Sequence, residues 1–560
     1  QLLGLAENAS DAELDSALKA LAHDRIDAEC CSISVQDMEN GTLYLAPGRH
    51  TVEWWAEDRA GNTVRESQQV DIAPLVSMSR DQTVAEGSVA SFRVLLNGPA
   101  PEYPLSVPYV IDSDSTASSD DYSLTGNQVT FNEGELEAPV ELMIAPDADT
   151  ESDETLIIRL DHRMGEPADS LYAFNPGVKA EHQLTITESN VPAMVSLQLS
   201  QADEPRSLLA RDGGEVQLTA MIHDPEGEAY QLSWSGIAEL DDAFAGAGET
   251  LSFSADLLPA GLYRVALSVT DGSGAVTDKS LPFVVVNSLP TLAADTDQDG
   301  DGVSDAQEGY ADTDGDGLPD YVDAHRASNI MITSLAHNNR YLVECEPGVR
   351  CLLGGEAVLA GADGARLGED ELPADDEYVN VGGYVDFEAV ELLQNGTRAQ
   401  VVVPLTEAIP AEAVYRKWQA GEWMSFIEDA NNALYSSAGA EGYCPPPGST
   451  EWQSGLTEGH WCVQLTLEDG GPNDADGVAN GAILDPGGVA KPVSDTGNGD
   501  GNGEGDGDGE TPNPPPSPDN GGSHGGGGGG ATGPWGILLL LAAALTSRRR
   551  LQRLTRREEP

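Results

Sequence analysis

The sequence predicts a mainly β protein built from tandem β-sandwich domains, joined by one acidic repeat and ended by a short transmembrane helix. Short runs of alternating apolar and polar residues, separated by turn residues, fill most of the first 290 positions, which is the pattern of antiparallel sandwiches. Residues 295–323 contain eleven Asp or Glu and no Lys or Arg. Residues 535–547 form an apolar run that is followed by arginines.

The net charge of the chain is strongly negative. Its 560 residues include 95 acidic and 28 basic side chains, which gives a formal charge of -67. A chain of this charge repels nucleic acid and anionic membrane surfaces, so nucleic acid is excluded as a partner. With aromatic residues at only 6%, about three to five modest domains are expected rather than one large core.

The acidic stretch contains the same spacing of carboxylates twice. Each half has acidic residues at positions 1, 3, 5, 9 and 12 and glycine at position 6. A large, hard cation takes about six to eight oxygen ligands, and alternate carboxylates on a tightly turned loop converge on one point. This spacing matches the D-x-D-x-D-G-x5-E pattern of calcium loops. The predicted Ca2+ ligands, including a backbone carbonyl at position 7, are Asp297, Asp299, Asp301, Val303, Asp305 and Glu308, then Asp312, Asp314, Asp316, Leu318, Asp320 and Asp323.

The two loops follow each other too closely for an EF-hand. Only three residues separate Glu308 from Asp312, which leaves no room for long flanking helices. Tandem loops of this kind, at residues 293–325, resemble the thrombospondin type 3 repeats of secreted bacterial proteins. The alternative is a solvated acidic linker, which has no reason to place glycine in register twice.

Residues 75–190 resemble a Calx-β domain. The resemblance rests on Val84-Ala85-Glu86-Gly87, on Ser119-Asp120-Asp121-Tyr122 and on the acidic run from Asp147 to Thr155. It implies a sandwich that binds calcium between the loops at one end. The ligands that the resemblance implies are Glu86, Asp121, Asp147, Asp149 and Glu154. The alternative is a sandwich with acidic loops and no tight site, since the family's further acidic cluster has no counterpart at residues 174–177.

Two other segments before the repeat are also predicted to be β. The motif G-x-H-T-V-x-W-x-A-x-D-x-A-G-N, at residues 48–62, resembles the last hairpin of bacterial immunoglobulin-like repeats, which makes residues 1–74 a partial immunoglobulin-like domain. Residues 10–22 within it are predicted as a short amphipathic helix. Residues 191–290, with strands predicted at 215–222, 231–235, 263–270 and 280–286, resemble PKD-like or cadherin-like modules. Their Asp-rich turns either bind calcium at a domain junction or serve as plain β-turns.

Residues 326–491 contain the last four cysteines. Cys345/Cys351 and Cys444/Cys462 lie at separations that can close small loops in an oxidising compartment, whereas adjacent cysteines such as Cys30 and Cys31 rarely pair with each other. The segments 415–418, 444–445, 462–466 and 469–477 resemble a choice-of-anchor U domain, which commonly precedes a C-terminal sorting signal. The Asp474/Asp476 turn is a further candidate cation position, although its offsets form no complete loop.

The C-terminal segment combines a linker with a short apolar helix. Residues 492–532 are dominated by Gly, Asp, Pro and Asn, which predicts a disordered linker. In residues 533–560, roughly fifteen apolar residues at ~1.5 Å each reach ~22 Å, less than the ~30 Å of a bilayer core. The arginines after this helix favour a cytoplasmic location for the C-terminal end of the chain, with the rest of the chain outside. Glycines, a short helix and an Arg cluster resemble the GlyGly-CTERM signal.

This resemblance implies cleavage by a rhomboid-type protease of a Gram-negative bacterium, with residues 535–547 only transiently in the inner membrane. The alternative is a permanent anchor. The chain begins at Gln1 without a signal segment, so a processed or truncated product is expected.

The sequence therefore predicts a calcium-binding, non-catalytic cell-surface or secreted protein whose sandwiches act as spacers and adhesion modules for an unknown target. Neither an H-E-x-x-H pair nor a G-x-S-x-G elbow occurs, so no enzyme activity is expected. The alternative is a non-catalytic carrier region of a secreted hydrolase whose catalytic domain lies upstream of Gln1.

Overall fold

The computed structural model describes residues 32–35, 45–57, 63–146, 152–161, 174–337, 340–368 and 370–493. Several predictions lie outside these residues, namely the helix at 10–22, Cys30 and Cys31, Asp147 and Asp149, and the whole segment 494–560 with its apolar run. The described part is mainly β and contains one three-stranded sheet and three sandwiches, each with two sheets around one core. Within this part, no helix has the length and apolar character that a membrane crossing requires.

The two strands of the hairpin predicted near the end of the 1–74 segment are confirmed. Strands β2 (Gly48–Glu57) and β3 (Thr63–Ile72) pair antiparallel over their full length, and β1 (Ser32–Val35) pairs with the other edge of β2. Arg49 on β2 forms ion pairs with Asp71 at 2.7 Å and with Glu102 at 2.8 Å. Because Glu102 belongs to the next domain, Arg49 connects the hairpin to it.

The first sandwich consists of two five-stranded sheets. Its strands are β4 (Leu75–Met78), β5 (Gln82–Ala85), β6 (Val89–Leu96), β7 (Leu105–Ile111), β8 (Tyr122–Leu124), β9 (Gln128–Phe131), β10 (Glu137–Ile144), β11 (Glu154–Leu160), β12 (Asn175–Pro176) and β13 (Glu181–Thr187). The sheet orders are β12-β4-β6-β10-β8 and β5-β13-β11-β7-β9. Burial alternates along β10, which is expected when one face of a sheet packs on the core.

The second sandwich contains all four strands predicted for it, one of them, β18, with the predicted bounds. Its elements are β14 (Met194–Gln201), β15 (Glu204–Pro205), β16 (Leu208–Ala210), β17 (Glu215–His223), β18 (Gln231–Ser235), a 3-10 turn (Ala238–Leu240), α1 (Asp241–Phe244), β19 (Thr250–Ser254), a 3-10 turn (Ala255–Leu257), β20 (Gly261–Thr270) and β21 (Val276–Val286). The sheet orders are β15-β14-β17-β19 and β16-β21-β20-β18.

The acidic repeat follows, with only the four-residue helix α2 (Asp305–Glu308) and a 3-10 turn (Asp320–Val322) as regular structure. Its two halves are called here the first loop (residues 297–308) and the second loop (residues 312–323). The absence of long flanking helices in this described stretch agrees with the spacing argument against an EF-hand.

The C-terminal domain, residues 326–491, is also a sandwich. Its elements are β22 (Ile330–Ile332), a 3-10 turn (Leu335–His337), β23 (Leu342–Cys345), β24 (Arg350–Leu353), α3 (Gly355–Ala360), β25 (Arg366–Leu367), β26 (Tyr378–Asn380), β27 (Tyr384–Val390), β28 (Arg398–Pro404), β29 (Val414–Gln419), β30 (Glu422–Ser425), β31 (Ala433–Ser437), β32 (Gln453–Ser454), β33 (Cys462–Glu468) and β34 (Ile483–Pro492). One sheet has the order β22-β23-β28-β33-β31-β32, and the other contains β24-β27-β34-β29-β30 with β25 beside β27.

Both predicted disulfides of this domain are confirmed. Cys345 bonds to Cys351 with their Cα atoms 5.7 Å apart, and Cys444 bonds to Cys462 with their Cα atoms 5.6 Å apart. Cys345 ends β23 and Cys351 lies in β24, so the first disulfide joins the two sheets of the domain.

Ion pairs hold both sandwiches against the C-terminal domain. Arg93 of the first sandwich contacts Glu137 at 2.9 Å and Glu391 at 3.3 Å, and Arg350 contacts the same Glu391 at 2.7 Å. Burial raises the pKa of Glu391, but Arg350 and Arg93 outweigh this effect and lower it. Arg264 of the second sandwich pairs with the fully buried Glu388. The sandwiches are therefore docked on this domain.

His182 on β13 is buried in the first sandwich as a neutral ring. It stacks on Phe92 with ring centroids 4.9 Å apart. Its Nδ1 lies 2.9 Å from the Ser79 carbonyl oxygen and its Nε2 lies 3.4 Å from the Gln82 amide nitrogen, so Nδ1 donates and Nε2 accepts. Burial lowers the pKa of His182 to about 4.

Lowering the pH from 6.5 to 4 is expected to destabilise the first sandwich, because in this range the unfolded chain protonates His182 and the folded domain does not. At about 1.4 kcal/mol per pKa unit, the loss approaches about 3 kcal/mol. This loss of stability is measured by amide hydrogen exchange of β13 in the full chain, after correction for the pH dependence of the intrinsic exchange rates. His182→Gln should remove this share of the pH dependence and His50→Gln should keep it; equal pH profiles for His182→Gln and wild type would contradict the prediction.

Candidate metal centre

In the first loop, hydrogen bonds from the backbone orient the first three carboxylates toward one another. Gly300 N and Gly302 N donate to the two oxygens of Asp297 at 2.7 and 3.1 Å. Asp301 N donates to Asp299 Oδ1 at 3.2 Å and Val303 N donates to Asp301 Oδ1 at 2.7 Å. Ligand oxygens of the three aspartates all lie within 4.8 Å of one another. Gly302 has φ +95°, so position 6 requires glycine.

The second loop repeats this geometry. Gly317 N donates to Asp312 Oδ2 at 3.2 Å, and Leu318 N donates to Asp316 Oδ1 at 2.8 Å. Oxygens of Asp312, Asp314 and Asp316 again lie within 4.8 Å of one another, and Gly317 has φ +94°. Val303 and Leu318 therefore lie at the edge of each carboxylate cluster, and ligation by their carbonyls stays a prediction.

The aspartate at position 9 of each loop holds the loop backbone instead of pointing a free oxygen at the cluster. Asp305 accepts hydrogen bonds from Gln298 N at 2.9 Å and from Thr296 Oγ1 at 2.5 Å. Asp320 accepts from Thr313 N at 2.9 Å and from Thr313 Oγ1 at 2.6 Å. Burial raises the pKa of Asp305, but these hydrogen bonds lower it overall.

The carboxylate at position 12 interacts electrostatically with each cluster: burial and then Asp299 and Asp301 raise the pKa of Glu308, and burial and then Asp323 raise the pKa of Asp314. Glu308 Oε1 accepts a hydrogen bond from Arg326 Nη2 at 2.7 Å, and the other Glu308 oxygen is buried without a partner among the described residues. Arg326 also contacts Asp320 at 3.3 Å, so it connects the first loop to the second. Ser304 and Gln307 form a capping box on α2, which fixes the direction from which Glu308 approaches.

Several carboxylate oxygens in the loops are buried without a hydrogen-bond donor in the described part of the chain. These are Asp299 Oδ2, Glu308 Oε2, Asp312 Oδ1, Asp314 Oδ2 and Asp316 Oδ2. Burial raises the pKa of Asp299 to about 6 and, together with Asp299 and Asp301, that of Glu308 to about 8. Burial and neighbouring carboxylates also raise the pKa of Asp323 to about 8. Oxygen ligands with unsatisfied lone pairs and mutual repulsion fit a hard divalent cation.

The second loop is fixed between two domains. Asp312 N donates to the Pro205 carbonyl oxygen at 3.1 Å, from the second sandwich. Leu353 N of the C-terminal domain donates to the Asp316 carbonyl oxygen at 2.7 Å. Arg350 lies directly against Gly315. A cation in the second loop would therefore stabilise the contact between these two domains.

Three of the calcium ligands that the Calx-β resemblance implies, Glu86, Asp121 and Glu154, belong to the described residues and lie at one end of the first sandwich. Glu86 N donates to the Thr187 carbonyl oxygen at 3.1 Å, and Glu154 on β11 pairs with Ile186 on β13. Ala145 N donates a hydrogen bond to the backbone carbonyl oxygen of Asp121 at 2.7 Å. The other two ligands, Asp147 and Asp149, lie outside the described residues, so this site stays a prediction.

Two other acidic turns, at Asp474/Asp476 and at Asp271, accept hydrogen bonds from the protein. Asp474 accepts from Gly470 N at 2.8 Å and from Leu484 N at 3.1 Å, and Asp476 accepts from Val478 N and Asn480. In the second sandwich, Asp271 accepts from Asn190 Nδ2 at 2.9 Å and from Ala275 N at 2.8 Å. These bonds identify the Asp474/Asp476 and Asp271 turns as hydrogen-bonded turns.

No family model and no curated protein matches this chain. Among solved structures, the chain is similar to the apo-form Calx CBD1 domain (18% identity, covering 21% of this chain and 99% of that one, TM-score 0.16). It is also similar to CBD12 from CALX1.2, with 17% identity over 36% of this chain and 83% of that one and a TM-score of 0.17. A third similar structure is that of the tandem Ig repeats of Dlar, with 12% identity over 38% of this chain and 99% of that one and a TM-score of 0.16.

Asp320→Ala is expected to loosen the second loop even in the presence of chelator, because it removes the acceptor for Thr313 N and Oγ1. Hydrogen bonds to a charged group contribute about 1.5–3 kcal/mol, so the free energy of opening at the Thr313 amide should fall by about that amount. Hydrogen exchange in the full chain measures it. Asp295→Ala, at an exposed carboxylate before the first loop, is the control. Unchanged protection of Thr313 in Asp320→Ala would refute the structural role of position 9.

Proposed function

We propose that residues 297–323 bind calcium, one ion in each loop, and that the protein is a non-catalytic, calcium-stabilised cell-surface or secreted module. One observation carries this proposal: each loop gathers three carboxylates within 4.8 Å and buries oxygens that lack a donor among the described residues. Asp297, Asp299, Asp301 and Glu308 would hold the first ion, and Asp312, Asp314, Asp316 and Asp323 the second.

In this proposal calcium also stiffens the junction between the second sandwich and the C-terminal domain. The second loop contacts Pro205 on one side and Leu353 on the other, so the ion would stiffen a domain junction as well as a loop. Stiffened sandwiches suit a role as spacers and adhesion modules. The Cys345–Cys351 and Cys444–Cys462 disulfides support a location outside the reducing cytosol.

We further infer that residues 533–560 act as a cleavable sorting signal. The support is in the sequence: Gly533, Pro534 and Gly536 border an apolar run of about fifteen residues, too short for a stable span of the ~30 Å bilayer core. Helix-breaking residues at its outer edge make that edge easy to unwind into an intramembrane protease.

Calcium titration of the full chain by calorimetry is expected to show heat that Mg2+ does not reproduce. Asp299→Asn should remove the first loop's share and Asp314→Asn the second's, while Asp212→Asn, at an exposed turn, should bind as wild type. A calcium excess of a hundredfold over Kd should stabilise the folded chain by ~2.7 kcal/mol for each ion bound. Titrations that are identical for wild type and the Asp299→Asn, Asp314→Asn double variant would refute calcium binding by the loops.

Intact mass of protein collected from the cell surface or the medium tests the sorting signal. We expect the main species to end near the glycine run at residues 525–530 and to lack Leu551–Pro560. Protein that retains these residues as its main species would show that the apolar helix is a permanent anchor, and would leave the calcium proposal untouched.

A further inference from the structure

A lysine and an aspartate contact each other inside the core of the C-terminal domain. Lys417 on β29 and Asp485 on β34 have side chains that are 1% and 0% exposed, and Lys417 Nζ lies 2.8 Å from Asp485 Oδ1. The two strands are antiparallel neighbours, with Lys417 opposite Gly487. Gly487 is two residues from Asp485, so Lys417 and Asp485 lie on the same face of the sheet. That face packs in the apolar core with Phe387 and Val489.

As an ion pair this arrangement is poorly satisfied. Apart from each other, Lys417 Nζ and the Asp485 oxygens have no hydrogen-bond partner among the described residues. Desolvation of a buried ion costs several kcal/mol, and a buried pair recovers this only when further hydrogen bonds satisfy its remaining donors and acceptors. A neutral amide between the same side chains would carry no charge, one donor and one acceptor.

Burial also favours the chemical forms that can react. It lowers the pKa of Lys417 and outweighs the opposing charge of Asp485. It raises the pKa of Asp485 and outweighs the opposing charge of Lys417. Both shifts favour transfer of a proton from the ammonium to the carboxylate. A desolvated, neutral lysine amine is a good nucleophile.

We propose that Lys417 and Asp485 are joined by an intramolecular isopeptide bond that forms after folding. A proton moves from the ammonium to the carboxylate, giving an amine and a carboxylic acid. Nζ then attacks Cγ of Asp485, the N–C bond forms, and the bond from Cγ to the protonated oxygen breaks. The second proton that nitrogen loses leaves with this oxygen. The only by-product is one water molecule, and neither an oxidant nor a co-reactant is needed.

The Tyr415 ring lies beside Asp485 in the same buried region. Tyr415 lies two residues before Lys417 on β29, and its hydroxyl is buried without a hydrogen-bond partner in the described part of the chain. The Tyr415 ring atom Cε1 and Asp485 Oδ1 lie 2.7 and 2.9 Å from the place where a Cβ on Gly487 would be. Glycine at 487 therefore allows the three groups to meet. The hydroxyl makes no hydrogen bond to Asp485 in the structure, so it would donate to the Asp485 oxygen on which negative charge develops during the attack only after the ring moves within hydrogen-bond distance.

The bond would join β29 covalently to β34, the last strand of the domain. Unfolding of the domain could then separate the other strands but not these two. This inference concerns the C-terminal domain alone and does not rest on calcium binding by the loops.

Mass spectrometry of the purified full chain tests the proposal directly. After reduction of disulfides, the wild-type mass should be one water lower than the mass calculated for the linear, unlinked chain. Digestion with trypsin should yield a branched peptide that contains both Lys417 and Asp485, since trypsin does not cleave after an acylated lysine. Lys417→Met and Asp485→Ala should abolish both signals, and Lys491→Met, at an exposed lysine after the core of β34, should keep them.

Asp485→Asn provides a chemical control. An asparagine reacts with the same amine by releasing ammonia, so its product is the same amide and its mass should equal that of the linked wild type. A wild-type mass equal to the unlinked sequence, with linear peptides only, would overturn the proposal. A mass deficit that persists in soluble Asp485→Ala would also overturn it. If Lys417→Met does not fold, the presence or absence of the wild-type branched peptide decides alone.

Discussion

The repulsion among buried carboxylates in residues 297–323 is the constraint on which the rest of the structure depends. Each loop turns three aspartates toward one point, and buried oxygens without a donor among the described residues belong to Asp299 in the first loop and to all three aspartates in the second. Burial raises the pKa values of Glu308 and Asp323 to about 8, because removing a carboxylate from water disfavours its charged form. The same low polarity that penalises bare carboxylates strengthens their attraction to a divalent cation.

The second loop lies where the second sandwich and the C-terminal domain meet, so repulsion among its carboxylates also affects the contact between these domains. Asp312 and Asp316 contact the second sandwich and the C-terminal domain through their backbones, and Arg326 connects Glu308 of the first loop to Asp320 of the second. Whatever neutralises one cluster therefore changes the field at the other. The ion pairs of Arg93 and Arg264 hold the sandwiches against the same C-terminal domain.

Much of the fold was predictable because its signals are local. The alternation of apolar and polar residues predicted β18 with its correct bounds. The glycine at position 6 of each loop predicted the turn there, and the short separations between cysteines predicted both disulfides. The roles within each loop were less predictable. Asp305 and Asp320 share the spacing of ligands, yet hydrogen bonds from position 2 of each loop occupy them; the spacing alone cannot tell a ligand from a group that holds the backbone.

Contacts between distant segments were not predictable at all. The pairing of Arg93 with Glu391, and of Lys417 with Asp485, depends on domain docking and on strand register, and neither leaves a pattern in one sequence. Lys417 lies in Tyr415-Arg416-Lys417-Trp418, where alternation does not show which polar residue faces the core.

The chain thus deals with buried charge in three physically different ways. At the domain contacts, guanidinium groups balance carboxylates such as Glu391, which two arginines share. In the loops, the carboxylates outnumber the nearby cationic side chains of the protein, so in the proposed function an ion from solution balances their charge and the stability of the loops depends on its concentration. In the core of the C-terminal domain, one lysine and one aspartate lack the further hydrogen bonds that make a buried ion pair favourable. There a covalent bond removes both charges at once, and unlike a bound cation it cannot be withdrawn by a chelator.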